Sequence, residues 1–168
     1  MNMKKFVFMV LLVALTGFHW HFKNPLDGVK FVENKKADGK EKAFKDVLGE
    51  FKGKVVYVDY WASWCSPCRQ QFPYSKEIHE KMKGKNVVFL YISYDQNEAA
   101  WKKGIEAIEI KGYHWYPTEN QKLEIYQLYS VSGIPRYMIV DKTGKVVDDD
   151  APRPSEADRV IKKIEALL

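Results

Sequence analysis

The apolar positions of this chain fall into two rhythms. Val55 to Trp61 (VVYVDYW) and Val87 to Tyr94 (VVFLYISY) are nearly continuous runs of β-branched and aromatic residues, the pattern of strands covered on both faces. Asp59 is the one charged residue in either run. Ala43, Phe44, Val47, Leu48 and Phe51 recur at helical spacing and predict a helix, with Gly49 or Gly53 to stop it. A second helix is expected over Ser66 to Met82, with Phe72, Ile78 and Met82 toward the core and a kink at Pro73. Glu98 to Ile110 predicts a third, carrying Trp101, Ile105 and Ile108 on one side, and Gln121 to Tyr129 a short fourth. Between these two, Lys111 to Pro117 reads as an aromatic loop. Val29 to Glu33 alternates weakly, as a short edge strand does, and Asp38-Gly39 marks a turn. Tyr137 to Val140 and Lys145 to Val147 read as a hairpin around Lys142-Thr143-Gly144. Beyond Pro152 and Pro154 a last helix, Ser155 to Leu168, opens on Ser155 as N-cap. Strands and helices alternate and the last two strands come as a hairpin, so the fold class is an α/β sandwich with a mixed sheet.

The first residues carry a different pattern. Lys4 and Lys5 precede an apolar run of 13 residues, Phe6 to Phe18, shorter than the roughly 20 needed to span a bilayer. Residues 1–17 therefore read as a secretory signal peptide or an uncleaved hydrophobic anchor. Ala14-Leu15-Thr16 and Leu15-Thr16-Gly17 are the nearest small-residue cleavage candidates, and no cysteine is present there to take a lipid. Residues 18–28 follow as a linker. His19 and His21 lie in it without further ligands at useful spacing, so a metal site is not expected there. Residues 29–168 make one domain, long enough to bury a core without disulfide staples.

Charge changes the picture little. The formal net charge is +5, and removal of Lys4 and Lys5 with the leader lowers it by two, to +3. No basic block with interleaved aromatics appears, which argues against nucleic acid as a partner.

The chemistry is concentrated at Cys65-Ser66-Pro67-Cys68, where the strongest strand pattern gives way to a helix. These are the only two cysteines. A pair at this spacing closes a disulfide across one turn and reopens it, which favours redox chemistry over a structural staple. Half a zinc site is the competing reading. It needs a second ligand pair, and no cysteine remains, His79 and His114 are single, and the His19/His21 pair lacks further ligands, so no metal and no cofactor is expected. At a helix start, unpaired N–H groups and the helix dipole favour an anion, so Cys65 is expected to be the acidic, exposed nucleophile. Cys68, one turn further in, is expected to be buried and to resolve the mixed disulfide. Pro67 stiffens that first turn without removing a needed donor. Asp59 lies on the strand face opposite Val58 and Tyr60. It reads equally as a buried proton donor and acceptor for Cys68 or as a carboxylate tied to a hydroxyl, an indole or Lys54. Ile134-Pro135 opens the following strand, where a plain trans bond is the default.

Taken together, these residues resemble the thioredoxin superfamily. Val58-Asp59-Tyr60-Trp61-Ala62-Ser63-Trp64-Cys65-Ser66-Pro67-Cys68 is similar to its active-site strand and loop, Pro73 to its helix-kinking proline, and Ile134-Pro135 to its cis-proline loop. The likeness runs from Lys40 to Leu168. Export, Gln70-Gln71-Phe72-Pro73 and the long segment Asn97 to Gln127 look more like the TlpA/ResA-like extracytoplasmic branch. The resemblance implies a thioredoxin-like α/β/α sandwich with an inserted helical segment after the second core strand. It implies Cys65 as nucleophile, Cys68 as resolving thiol and Asp59 as proton relay. It further implies a cis Pro135 that frees the backbone of Ile134 for a substrate strand, with Trp64 beside the disulfide and Ser66-Pro67 tuning the loop. Two features depart from that branch: Gln71 stands where many members carry a Glu, and Asp59 where many carry a neutral residue. The lysine that neighbours the buried Asp in thioredoxin has no counterpart in Val87 to Tyr94.

The leading expectation is a periplasmic, monomeric reductase of protein disulfides, fed by a membrane or soluble dithiol electron donor. An oxidase or isomerase of the same fold is the alternative, since sequence does not give the relative stability of dithiol and disulfide. A non-catalytic binding protein, capturing a partner through Tyr113, Trp115 and Tyr116, is a third reading. A peroxidase is a fourth, though it would not normally need the cysteine pair.

Overall fold

The computed structural model describes Asn24 and residues 26–168, so the expected signal or anchor and most of the expected linker lie outside the described residues. Among the described residues no helix is long and apolar enough to cross a membrane.

The sheet is built around β2, Val55–Trp61, all seven of whose residues are buried. Its neighbours are β3, Val87–Ser93, parallel to it, and β5, Arg136–Val140, antiparallel to it. With β1 (Val29–Val32), β4 (Gly112–Trp115) and β6 (Val146–Asp148), the strand order is β1-β4-β3-β2-β5-β6. The mixed sheet expected from the sequence is therefore present.

Alternation along β2 sorts its side chains between two cores. Tyr57 and Trp61 face one layer, packed with Cys68, Phe72, Ile78 and Trp101. Val56, Val58 and Tyr60 face the other, with Phe44, Val47, Leu48 and Ile125. The first layer is made by α2 (Ser66–Arg69), α3 (Phe72–Lys81), α4 (Glu98–Ile108) and α6 (Ala157–Glu165). The second is made by α1 (Phe44–Gly49) and α5 (Glu119–Tyr129). Burial of each large apolar side chain stabilises such layers by about 1.5–3 kcal/mol.

Three expectations are corrected. Lys111 to Pro117 is not a loop: β4 pairs with both β1 and β3. Gly112 makes this approach feasible at φ +130°, since a Cβ there would lie 2.9 Å from the Phe89 carbonyl oxygen. His114 and Trp115 then point to opposite cores, His114 stacked on Tyr91 and Trp115 on Phe44. Four residues are too few to show strand periodicity.

Second, the helix expected to bend at Pro73 is broken into α2 and α3. Pro73 has no N–H to give to Arg69, and Gln71 N–H bonds instead to the Cys68 carbonyl, three residues back, which tightens the turn before α3 begins. Third, Ser155 is not an N-cap. It lies in a 3₁₀ turn, Pro154–Glu156, and its backbone N–H bonds to Gln71 Oε1 at 3.0 Å.

Candidate active site

The site follows directly from the end of β2. Ala62 to Trp64 turn the chain, with Cys65 N–H bonding back to the Ala62 carbonyl, and α2 begins. Cys65 is the N-cap of α2, its Sγ accepting the Cys68 N–H at 3.2 Å. Pro67 lies in the first turn, where its missing N–H leaves no gap. Cys65 and Cys68 are joined as a disulfide, S–S 1.99 Å and Cα–Cα 5.3 Å.

The exposed Cys65 expected over a buried Cys68 is not found. Cys65 is 3 % exposed and Cys68 1 %, and in the disulfide form both lie in the same core. Trp64 lies outside that core and is 64 % exposed, a free aromatic surface beside the disulfide in the chain. Ser66 and Pro67 are exposed as well.

Ile134-Pro135 is a cis peptide, which the local sequence alone left as trans by default. It immediately precedes Arg136, whose register partner is Tyr60 near the end of β2. The sheet thus brings the proline loop to the end of the strand that leads into the cysteine loop. Ile134 is half-buried against both cores.

Asp59 is 2 % exposed, and its register partners are Tyr91 and Tyr137 on the two flanking strands. Its Oδ1 has no hydrogen-bond partner, and no ion pair holds it, so the tie to a hydroxyl, indole or Lys54 is not made. Burial pushes its pKa well above the ordinary carboxylate value. A carboxyl whose pKa is raised, on the sheet face that carries the cysteines, gives and takes a proton at higher pH than an ordinary carboxyl, the property a buried acid and base requires.

The same face holds His79, half-buried, within 2.9 Å (Nε2) of the Tyr91 hydroxyl, and His114, buried and stacked on Tyr91. Desolvation pushes both imidazoles down to about 4, so they are neutral near pH 7. Among the described residues no cluster of His, Cys, Asp or Glu is arranged to hold a metal ion.

Sequence reasoning missed Asp95. It is fully buried just past β3, and its carboxylate accepts the Ser63 N–H at 3.1 Å, the Ser63 hydroxyl at 2.6 Å and the Ser93 hydroxyl at 3.0 Å. It therefore pins the turn before Trp64 and Cys65. The only signal was an aspartate ending a buried strand, which reads as an ordinary turn. Asp95→Ala is expected to lower stability by about 2–3 kcal/mol, the scale of hydrogen bonds to a buried charge, measured from the urea midpoint. A loss below about 0.5 kcal/mol would show that the turn holds without it.

The aromatics considered for partner capture are engaged in packing. Trp115 is fully buried, Tyr113 lies edge-on to Phe51 and Tyr116 stacks on Trp101.

Comparison with known proteins agrees with this geometry. A family model described as thioredoxin-like matches residues 53–146. The thiol-disulfide oxidoreductase ResA of Bacillus cereus (strain ZK / E33L) is 34% identical over 112 residues, 66% of this chain and 60% of that protein. The chain thus spans less than two thirds of that relative's length. The solution structure of a thiol:disulfide interchange protein from Bacteroides sp. superposes with a TM-score of 0.64 at 27% identity, covering 80% of this chain and 86% of that one. The pneumococcal exposed lipoprotein thioredoxin of Streptococcus pneumoniae strain TIGR4 gives a TM-score of 0.59 at 29% identity, covering 81% and 98%.

Proposed function

The chain belongs to the thioredoxin-like family, and we propose that it is an extracytoplasmic thiol-disulfide oxidoreductase that reduces protein disulfides through Cys65 and Cys68. The observation that carries this reading is the Cys65–Cys68 disulfide at the start of α2, at the end of the strand that the cis Ile134-Pro135 loop adjoins.

The proposed cycle starts from the dithiol. Cys65 thiolate attacks one sulfur of the substrate disulfide, a Cys65–substrate bond forms, and the first substrate sulfur leaves as a thiolate and takes up a proton. Cys68 attacks Cys65 Sγ, its proton passing to Asp59 in that group's ionised form. The Cys65–Cys68 bond closes and the second substrate thiolate leaves. Two electrons have passed to the substrate, and a partner dithiol, membrane-bound or soluble, restores the starting state by the reverse exchange. Trp64, Ser66 and Pro67 present the outer surface, and the Ile134 backbone pairs with the substrate strand at Pro135.

Export through residues 1–17, as signal or anchor, places residues 29–168 as a monomeric domain outside the cytoplasm, in the periplasm. The exposed lipoprotein among its structural relatives is consistent with that side of the membrane.

The same geometry would serve an oxidase or isomerase, and the redox potential separates them. Equilibration of the pair against glutathione or dithiothreitol buffers is expected to give a value near that of thioredoxin, about −270 mV. A value near −120 mV, that of a strong oxidant, would overturn the reductase assignment.

A further inference from the structure

Two adjoining depressions flank the cysteine turn, of about 460 and 230 Å³, both bounded by Arg69 of α2 and by Ala107 and Ile108 of α4. Ser66 lines the first and Ser63 the second, so the groove borders Cys65 from both sides in the chain. Its floor is apolar, formed by Trp61 at one end and by Phe72 and Pro73 at the other. Gly104 lets α4 lie against the turn, since a Cβ there would come within 2.8 Å of Ser63 Cβ.

The charges along this groove are of one sign. Arg69, Lys76 and Lys103 line it, and no carboxylate does. All three are exposed, and among the described residues none has an ion-pair partner. That contrasts with Lys102, the residue before Lys103 on α4, which pairs with Glu98 at 2.7 Å. Three unneutralised cations over an apolar floor, beside the reacting sulfur, complement a segment bearing carboxylates between apolar residues.

Resting on the function proposed above, we propose that this groove binds acidic side chains within a few residues of the target cysteine in the substrate protein. Such a segment, extended at about 3.3 Å per residue, would carry glutamates along α2 and α4 while its disulfide sits at Cys65. The cations would then select among disulfides by their sequence surroundings.

The test uses disulfide-bonded peptides identical except for two flanking positions, Glu, Gln or Lys, reduced by the dithiol form of the full chain. In low salt, kcat/KM for the Glu peptide is expected to exceed that for the Gln peptide by about fivefold, with the Lys peptide lowest, as exposed charge pairs of this kind allow. The Glu/Gln ratio is expected to fall toward one in 0.5 M salt, through screening, and in the double variant Arg69→Gln, Lys103→Gln. Because the ratio is taken within each protein, any change in the intrinsic reactivity of Cys65 cancels. Equal kcat/KM for all three peptides in the unaltered protein would overturn the groove assignment and leave the reductase reading standing. Failure to reduce any of them would overturn that reading, and the groove assignment with it.

Discussion

Cys65→Ser is expected to reduce the proposed turnover of protein disulfides to background, a fall of at least about a thousandfold, while Cys68→Ser is expected to stop the reaction halfway. The two variants differ because the two sulfurs have different surroundings. Cys65 caps α2 and receives the Cys68 N–H, so negative charge on its sulfur is stabilised by a donor already in place. Cys68 lies inside α2 with its side chain in the core, where a thiolate has no such help. With Cys68→Ser, Cys65 still attacks, but no second thiol is present to close the ring, and a covalent adduct accumulates. Intact-mass measurement after mixing with a disulfide substrate is expected to show the adduct with Cys68→Ser and none with Cys65→Ser. Adduct formation by Cys65→Ser alone would reverse the roles assigned to the pair.

Asp59→Asn is expected to stabilise the oxidised protein near pH 7 and to slow the resolving step. The carboxyl is buried, without a partner for its Oδ1, and desolvation raises its pKa well above the ordinary value. The folded protein therefore holds a proton that the unfolded chain releases once pH passes about 4, the ordinary Asp value. Stability tied to this group is fully present below the unfolded pKa and is lost as pH rises through the folded one. Asparagine has nothing to titrate, so the gap in stability between variant and wild type opens above about pH 4 and levels off past the folded pKa. Urea midpoints across the pH range will show whether the gap opens, and a constant difference would mean that Asp59 is not titrating inside the fold. In single-turnover experiments, breakdown of the mixed disulfide is the step expected to slow, because Cys68 loses the acceptor for its proton. An unchanged rate of that step would remove Asp59 from the mechanism.

The fold was readable where burial leaves a long, one-sided record. β2 and β3 announced themselves because both faces of each are covered, and α4 because its apolar stripe runs for three turns. β4 was not readable. Its four residues carry no period, and what makes them a strand is the bare Cα of Gly112 against Phe89 together with the neighbours on either side. The break between α2 and α3 depends on which carbonyl the Gln71 N–H finds, a choice made in three dimensions.

At the site, the cysteines, the buried Asp59 and the place of Pro135 were visible in spacing. The burial of Cys65 was not, since it depends on what packs around the cysteine turn in three dimensions. Asp95 was not either, because its three donors come from Ser63, some thirty residues earlier, and from Ser93. The part Gln71 plays was not visible either: its side-chain oxygen ties the helix break to the Ser155 N–H, 84 residues away.

The strand order has a consequence for how the chain comes into being. β2, at the heart of the sheet, takes one neighbour from β3, made soon after it, and the other from β5, made near the end. During synthesis or threading from the N-terminus, Cys65 and Cys68 emerge long before the strand and helix that complete their surroundings. Until Arg136–Val140 arrives, one edge of β2 stands open and the pair meets whatever oxidant the compartment supplies. The newborn pair thus meets its environment with the potential of an unfolded Cys-x-x-Cys segment, and the finished fold shifts that potential.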